Sequence, residues 1–243
     1  MSNAHTLEGR QDHELLWFQR RNFIQGAAAW TALGGWHTAQ AQQRGNVVTL
    51  QGDALVNGKR LVPQQSVQTG DEVQTGPGSS MVFVIGNSSF MVRENSYLKV
   101  ERGTSLFAVS VLRLLTGAVA SVWGKGPPRQ IVTPTLTAGI RGTGVYTEVF
   151  TEQDNRSYFC NCYGLVSLDA GSSKTQSQSD YHQSFWANAQ EKEGGFIEPA
   201  KAINHSDEEL EFLAGLVNQR TAWQIAGRKG TKDGSGKMSD YNY

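Results

Sequence analysis

Charge is scarce in this chain, and what there is cancels. Lys, Arg, Asp and Glu make up 18% of the 243 residues, with a formal net charge of zero. The balance also holds locally: residues 1–41 carry three bases and three acids, so the remainder is neutral too. With no basic surplus to meet a phosphate backbone, a dedicated nucleic-acid binder is excluded. Long apolar runs are missing as well. A membrane-spanning helix needs about 20 apolar residues, and the weakly apolar stretch from Gly26 to Trp36 is short and interrupted by glycine. Signatures of catalysis are absent: no Ser-His-Asp order, no G-x-S-x-G elbow, no paired catalytic carboxylates. The glycine-rich stretch Gly139 to Gly144 lacks the lysine and following helix of a phosphate loop, and reads as a structural corner. The chain is therefore expected not to be an enzyme. Cysteine is limited to two residues, both in the tripeptide Cys160-Asn161-Cys162.

What is present is glycine, 27 residues of it, beside 38% hydrophobic residues. That composition suits a turn-rich β protein better than a helical bundle. The length suits one domain with appendages. Val47 to Leu50 and Ala54 to Val56 flank Gly52-Asp53 and read as a hairpin, with a tight-turn dipeptide at Asn57-Gly58. Further strands are expected at Glu72 to Thr75, Met81 to Ile85, Phe90 to Val92, Tyr97 to Val100 and Leu112 to Val119. Gly124 to Pro128 reads as a loop. Ile131 to Thr133 ends at Pro134, which has no N–H to continue a ladder. Val145 to Phe150 alternates, with Val145, Thr147 and Val149 on one face and Tyr146, Glu148 and Phe150 on the other. A strand from Ser157 to Leu168 follows a polar turn. The aromatics Trp123, Tyr146, Tyr158, Phe159 and Tyr163 are assigned to packing. The expected class is all-β: a sandwich, barrel or solenoid of short strands.

After residue 170 the character changes. Gly171 to Asp180 is rich in Ser and Gln and reads as an exposed loop, Tyr181 to Trp186 as extended, and Gly194-Gly195 as a break. Ser206-Asp207-Glu208-Glu209 has the form of a capping box. Leu210, Leu213, Leu216 and Val217 make an apolar stripe behind it, so a short C-terminal α-helix should dock on the β body. Residues 171–226 are thus expected to be a loop and capped-helix appendage. Residues 227–243 are expected to be a disordered tail.

Two resemblances add to this reading. Gln19 to Gln25, with Arg20 and Arg21, resemble the twin-arginine (Tat) export motif, and Ala39-Gln40-Ala41 resembles a cleavage site. The alternative is a short amphipathic helix with an incidental arginine pair. The resemblance implies that residues 1–41 are a signal peptide and that the protein is periplasmic, touching a membrane only through that segment if it is uncleaved. Tat substrates cross folded, often after acquiring a cofactor. Residues 46–170 are similar to the FecR-type domain, the periplasmic sensing module named after the iron-dicitrate regulator. Gly70-Asp71 to Thr75-Gly76, Leu112 to Val119, Thr133-Pro134, Arg141-Gly142-Thr143 and Gly164-Leu165-Val166 carry this likeness. It implies a β-solenoid-like or sandwich-like domain in which Thr133, Pro134, Arg141, Gly142 and Thr143 are structural. It also implies a sensing or binding module at the bacterial cell envelope, with an envelope protein or small ligand as partner. The anti-sigma segment, membrane span and receptor-contacting module of the full regulators are not read here, so their signalling role does not carry over whole. Scaffolding or cell-wall association through an exposed sheet is a further possibility.

The cysteine pair leaves three readings open. On a strand, residues i and i+2 face the same way, so both sulfurs project on one side. They could form half of a site for Zn, Cu or Fe, completed by His182 and His205. They could form a strained, easily reduced disulfide. They could be two small buried hydrophobes. For each histidine the alternative is ordinary packing, because their spacing matches no zinc-finger pattern. Asn204-His205-Ser206-Asp207-Glu208-Glu209-Leu210 is similar to a tail found in exported FecR-like chains that also carry a C-x-C strand. Arg141 is expected to bond loop carbonyls.

Overall fold

Side chains alternate along a strand, so a strand keeps one face on the core unless a residue is inserted. Three long strands here break that rule at glycines. The computed structural model describes residues 45–62, 65–105 and 108–228, all within one compact unit. Arg20, Arg21 and the rest of 1–41 lie outside the described residues, as does the tail beyond 228.

Fourteen strands form one sheet that is not closed. They are β1 (Val47–Gln51), β2 (Ala54–Val56), β3 (Lys59–Arg60), β4 (Glu72–Thr75), β5 (Ser80–Ile85), β6 (Ser88–Val92) and β7 (Tyr97–Arg102). After these come β8 (Val109–Trp123), β9 (Arg129–Val132), β10 (Thr137–Phe150), β11 (Arg156–Ala170), β12 (Ser173–Ser179), β13 (Gln183–Lys192) and β14 (Gly195–Ala200). Two helices follow, α1 (Asp207–Leu216) and α2 (Ala222–Ile225). The all-β expectation holds, and the open sheet removes the barrel. The main path runs β14-β13-β11-β10-β9-β8-β7-β4-β2-β3, and β6, β5 and β1 branch from β8. Pairing is antiparallel except for β8 with β9.

The long strands change partners along their length. β8 pairs with β7 up to Thr116 and with β6 from Val119. β11 pairs with β13 over Ser157–Asn161 and with β12 over Gly164–Ala170. Each also switches its inward face. Leu112 and Leu114 of β8 enter the main core, but beyond Gly117 (φ +74°) Val119 and Trp123 do. In β10 the switch is at Gly142 (φ +62°), between Ile140 and Val145. In β11 it is at Gly164 (φ +101°), between Phe159 and Val166. Positive φ is cheap for glycine and costly for other residues. The main core joins Val73, Leu98 and Leu112 to Phe83, Phe90, Trp123 and Phe159, so the sheet encloses one core in sandwich fashion. A second cluster on the other face of β8, β10 and β11 holds Ala120, Val122, Tyr146, Cys160 and Cys162, and the helices cover it through Leu210, Leu213 and Trp223.

Several expectations need correction. β1 pairs with β5 rather than β2, and the Asn57-Gly58 turn joins β2 to β3. Arg141-Gly142-Thr143 is not a turn between strands but a bulge inside β10. Arg141 itself is exposed. An arginine that does bind a loop carbonyl is the buried Arg129, whose guanidinium donates to Gly124 O, Ser88 Oγ and Asn87 Oδ1. The stretch read as a loop, 171–180, is mostly strand β12 on the edge beside β11. Its Ser, Thr and Gln side chains look like loop composition because an edge strand has an open, solvated side. Thr133-Pro134 does end β9. Thr133 Oγ1 accepts from Leu136 N at 3.0 Å and closes the turn into β10. Ser206 caps α1 as read: its Oγ accepts from Glu209 N, and Glu209 Oε2 accepts from Ser206 N. Among the described residues, no helix is long and apolar enough to cross a membrane.

Candidate metal centre

The extended course of β11 puts Cys160 and Cys162 on one face, with their sulfurs 3.7 Å apart as free thiols and fully buried. His182 lies between β12 and β13, with φ +31°, and its N–H donates to Cys162 O at 3.0 Å. A non-glycine residue in that region is strained, and such strain persists where the surroundings hold it. His205 arrives just before α1, after Asn204 at φ +59° turns the chain. The four donor atoms of Cys160, Cys162, His182 and His205 all lie within 4.8 Å of one another.

The individual separations have the dimensions of a tetrahedral ion site. Cys160 Sγ is 3.4 Å from His182 Nδ1, and Cys162 Sγ is 3.4 Å from His205 Nε2. The two ring nitrogens are 3.1 Å apart. With zinc–sulfur bonds of about 2.3 Å and zinc–nitrogen bonds of about 2.0–2.1 Å, a regular tetrahedron has S···S of about 3.8 Å, S···N of about 3.5 Å and N···N of about 3.3 Å. These four separations follow that order, and the remaining two lie within 4.8 Å. The sulfurs are free thiols at 3.7 Å, beyond the length of about 2.05 Å of a disulfide, and both face the two imidazoles.

The outward ring nitrogens have partners that assign the tautomers. His182 Nε2 donates to Asp207 Oδ1 at 2.6 Å, and Tyr181 Oη donates to Asp207 Oδ2 at 2.8 Å. His205 Nδ1 donates to Ile203 O at 2.6 Å. A cation bound between the four groups would find the inward nitrogens free to ligate, because each outward nitrogen already donates to an oxygen, which is how metal-bound histidines are oriented. Asp207 sits in the first turn of α1, where the helix dipole favours a negative charge. The rings are clamped: Tyr146 stacks on His205 at 4.7 Å between centroids, and Trp223 on His182 at 5.5 Å. The side chains of His182 and Asp207 are only 3% and 1% exposed.

The ionisation of these groups reflects the same convergence. Burial acts to raise the Cys160 thiol, but hydrogen bonds from Cys162, His182 and His205 outweigh it and hold Cys160 well below the usual thiol range. Cys162 is raised, by burial and by the thiolate beside it. Burial acts to lower His182, but the hydrogen bonds to Asp207 and Cys160 outweigh it and push it up to about 9.

The sequence pointed to all four donors, and the structure brings them together. It did not point to Asp207 as the partner of His182, nor to Trp223. The capping box was the signal at Asp207, because the residue after an N-cap serine has its side chain at the start of the helix. Thr133, Pro134, Gly142 and Thr143 lie elsewhere, in turns and bulges, and play no part in the site. An open cleft of about 250 Å³ lined by Arg93, Glu148 and Asn204 reaches Tyr146 but not the sulfurs, which have no exposed surface. Four protein donors are what a closed, four-coordinate site requires.

The sequence matches no protein-family model and no curated protein. Two crystal structures of a provisionally assigned anti-sigma factor from Parabacteroides distasonis ATCC 8503 are similar to it. Both superpose with a TM-score of 0.44, at 12% and 14% identity, over 53% and 55% of this chain. The match spans 58% and 60% of those chains, about three-fifths of their length.

Proposed function

We propose that this protein is a non-enzymatic binding module of the bacterial cell envelope, built around a closed zinc centre formed by Cys160, Cys162, His182 and His205. The observation that supports this reading is the convergence of two buried thiols and two imidazole rings whose donor atoms all lie within 4.8 Å of one another. Two thiolates neutralise a divalent ion, which suits a dry site better than a monovalent one. Softness alone also admits Cu(I) and iron. Export through the Arg20-Arg21 segment accounts for loading before secretion, and the FecR-like phrases account for a sensing role with an envelope protein as partner.

Metal analysis of protein purified without chelators is the test. About one zinc per chain is expected, and Co(II) in its place should show thiolate charge-transfer and tetrahedral d–d bands. A chain with no bound metal and a disulfide between the cysteines would replace this reading with a redox one. Binding must displace protons from Cys162 and His182, both held above their ordinary values. Affinity should therefore strengthen as pH rises through neutral toward about 9, and weaken in acid.

Asp207→Asn keeps the size of the side chain but removes its charge from His182. Partners of this kind are worth about 10–100-fold in metal affinity. A weakening in that range is expected in a competitive chelator titration, with stoichiometry still one. An unchanged affinity would mean that Asp207 serves the helix alone.

A further inference from the structure

Building on the zinc-centre reading, we propose that the ion is also the clasp of the C-terminal arm, residues 201–228, so that metal binding and docking of the arm are one coupled equilibrium. The origin of the ligands carries this. Cys160, Cys162 and His182 belong to the β body, whereas His205 and the supporting Asp207 belong to the arm. Cys162 Sγ and His205 Nε2 lie 3.4 Å apart across 43 positions of chain, so an ion held by both would tie the arm to the sheet.

The arm has little order of its own. Its helices have ten and four residues, and isolated helices shorter than about 12–15 residues are marginal in water. Its hold on the sheet is concentrated near the site. Leu210, Leu213, Ala214 and Trp223 are fully buried in the second cluster. Ser89 Oγ donates to Leu213 O at 2.7 Å, and Arg93 donates to both carboxylate oxygens of Glu209 at 2.7 and 2.8 Å. Tyr158 Oη accepts from Ile203 N at 3.1 Å, just before His205. The arm in turn closes the site: Trp223 covers His182, and no sulfur surface is left exposed. The ion enters or leaves only when the arm lifts. Coupling of this kind is reciprocal, so what loosens the arm must loosen the metal by the same factor.

The experiment pairs hydrogen exchange with metal release on the full chain. Amides of residues 207–217 should exchange at least about tenfold faster after zinc is removed by a chelator than in the zinc-loaded protein. Strands β4 and β7 serve as the internal reference and should change far less. Leu213→Ala, which touches no ligand, should weaken zinc binding and speed its transfer to a chelator, again by about tenfold. Should Leu213→Ala not fold, Ser89→Ala removes only the hydrogen bond to the helix and should act in the same direction. Stoichiometric zinc with equal arm protection in the loaded and stripped protein would overturn the clasp and leave the metal centre standing. Zinc release unchanged in the folded variant would do the same. A wild-type chain that binds no zinc overturns the metal reading itself.

Discussion

Changing Cys160 and Cys162 together to serine is expected to take the protein from about one bound metal per chain to none. Serine keeps the shape but offers hydroxyls, which do not deprotonate to bind zinc at neutral pH as thiols do. His182 and His205 alone supply two donors, too few for a closed site. The stability effect should also be large. A ligand present at a thousand times its dissociation constant stabilises the fold by about 4 kcal/mol, and the variant gives that up. It should melt at the temperature of metal-stripped wild type or below, and wild type with zinc should melt well above both. Calorimetry with parallel metal analysis reads both effects. If the variant keeps its metal, or if wild type melts at one temperature with and without zinc, the four-residue centre is wrong.

Trp123→Ala is the second large effect, and it acts on the main core. Trp123 is fully buried at the end of β8, after the face switch at Gly117. Phe90 packs edge-on against it at 5.1 Å, and its Nε1 donates to Ser121 Oγ at 2.8 Å. The Arg129 guanidinium lies 5.8 Å from its ring and ties the 124 loop to β6. Emptying such a site costs about 3–5 kcal/mol. Urea unfolding should show that loss as a lower midpoint with a similar slope. Metal stoichiometry under native conditions should stay at one, because Cys160 and Cys162 lie in the other cluster and the proposed site does not touch Trp123. A cost below about 1 kcal/mol would mean that the core closes around the cavity far better than its packing indicates.

Local chemistry in the sequence was enough for most elements. Asn57-Gly58 takes positive φ at both residues and makes its turn. Pro134 ends β9, and Ser206 with Glu209 starts α1. The alternation from Val145 to Val149 sends Val145 and Val149 into the main core and Tyr146 to the other cluster. Such features depend on neighbours within a few residues. The strand β12 was missed for a related reason: on a solvated edge, composition reports exposure rather than pairing. Where β1 pairs was not readable either, since a strand's partner is chosen by whole faces and not by the nearest turn.

The candidate site divides in the same way. The spacing of Cys160 and Cys162 alone puts two sulfurs on one side of a strand, because the side-chain period of an extended chain is two. Nothing in that spacing says which side is buried. The bulges in β10 and β11 decide it, each passing through a glycine at positive φ, and they turn the sulfurs away from the main core toward the arm. His182 and His205 lie 20 and 43 residues beyond Cys162 in the sequence. Their approach depends on the β11–β12 turn, the strained backbone at 182 and the docking of α1, all set by packing over distances that no local pattern encodes. The sequence by itself supplied the donor atoms and the turns. Tertiary structure decided that the donors meet, because only burial of the second cluster brings the arm over β11.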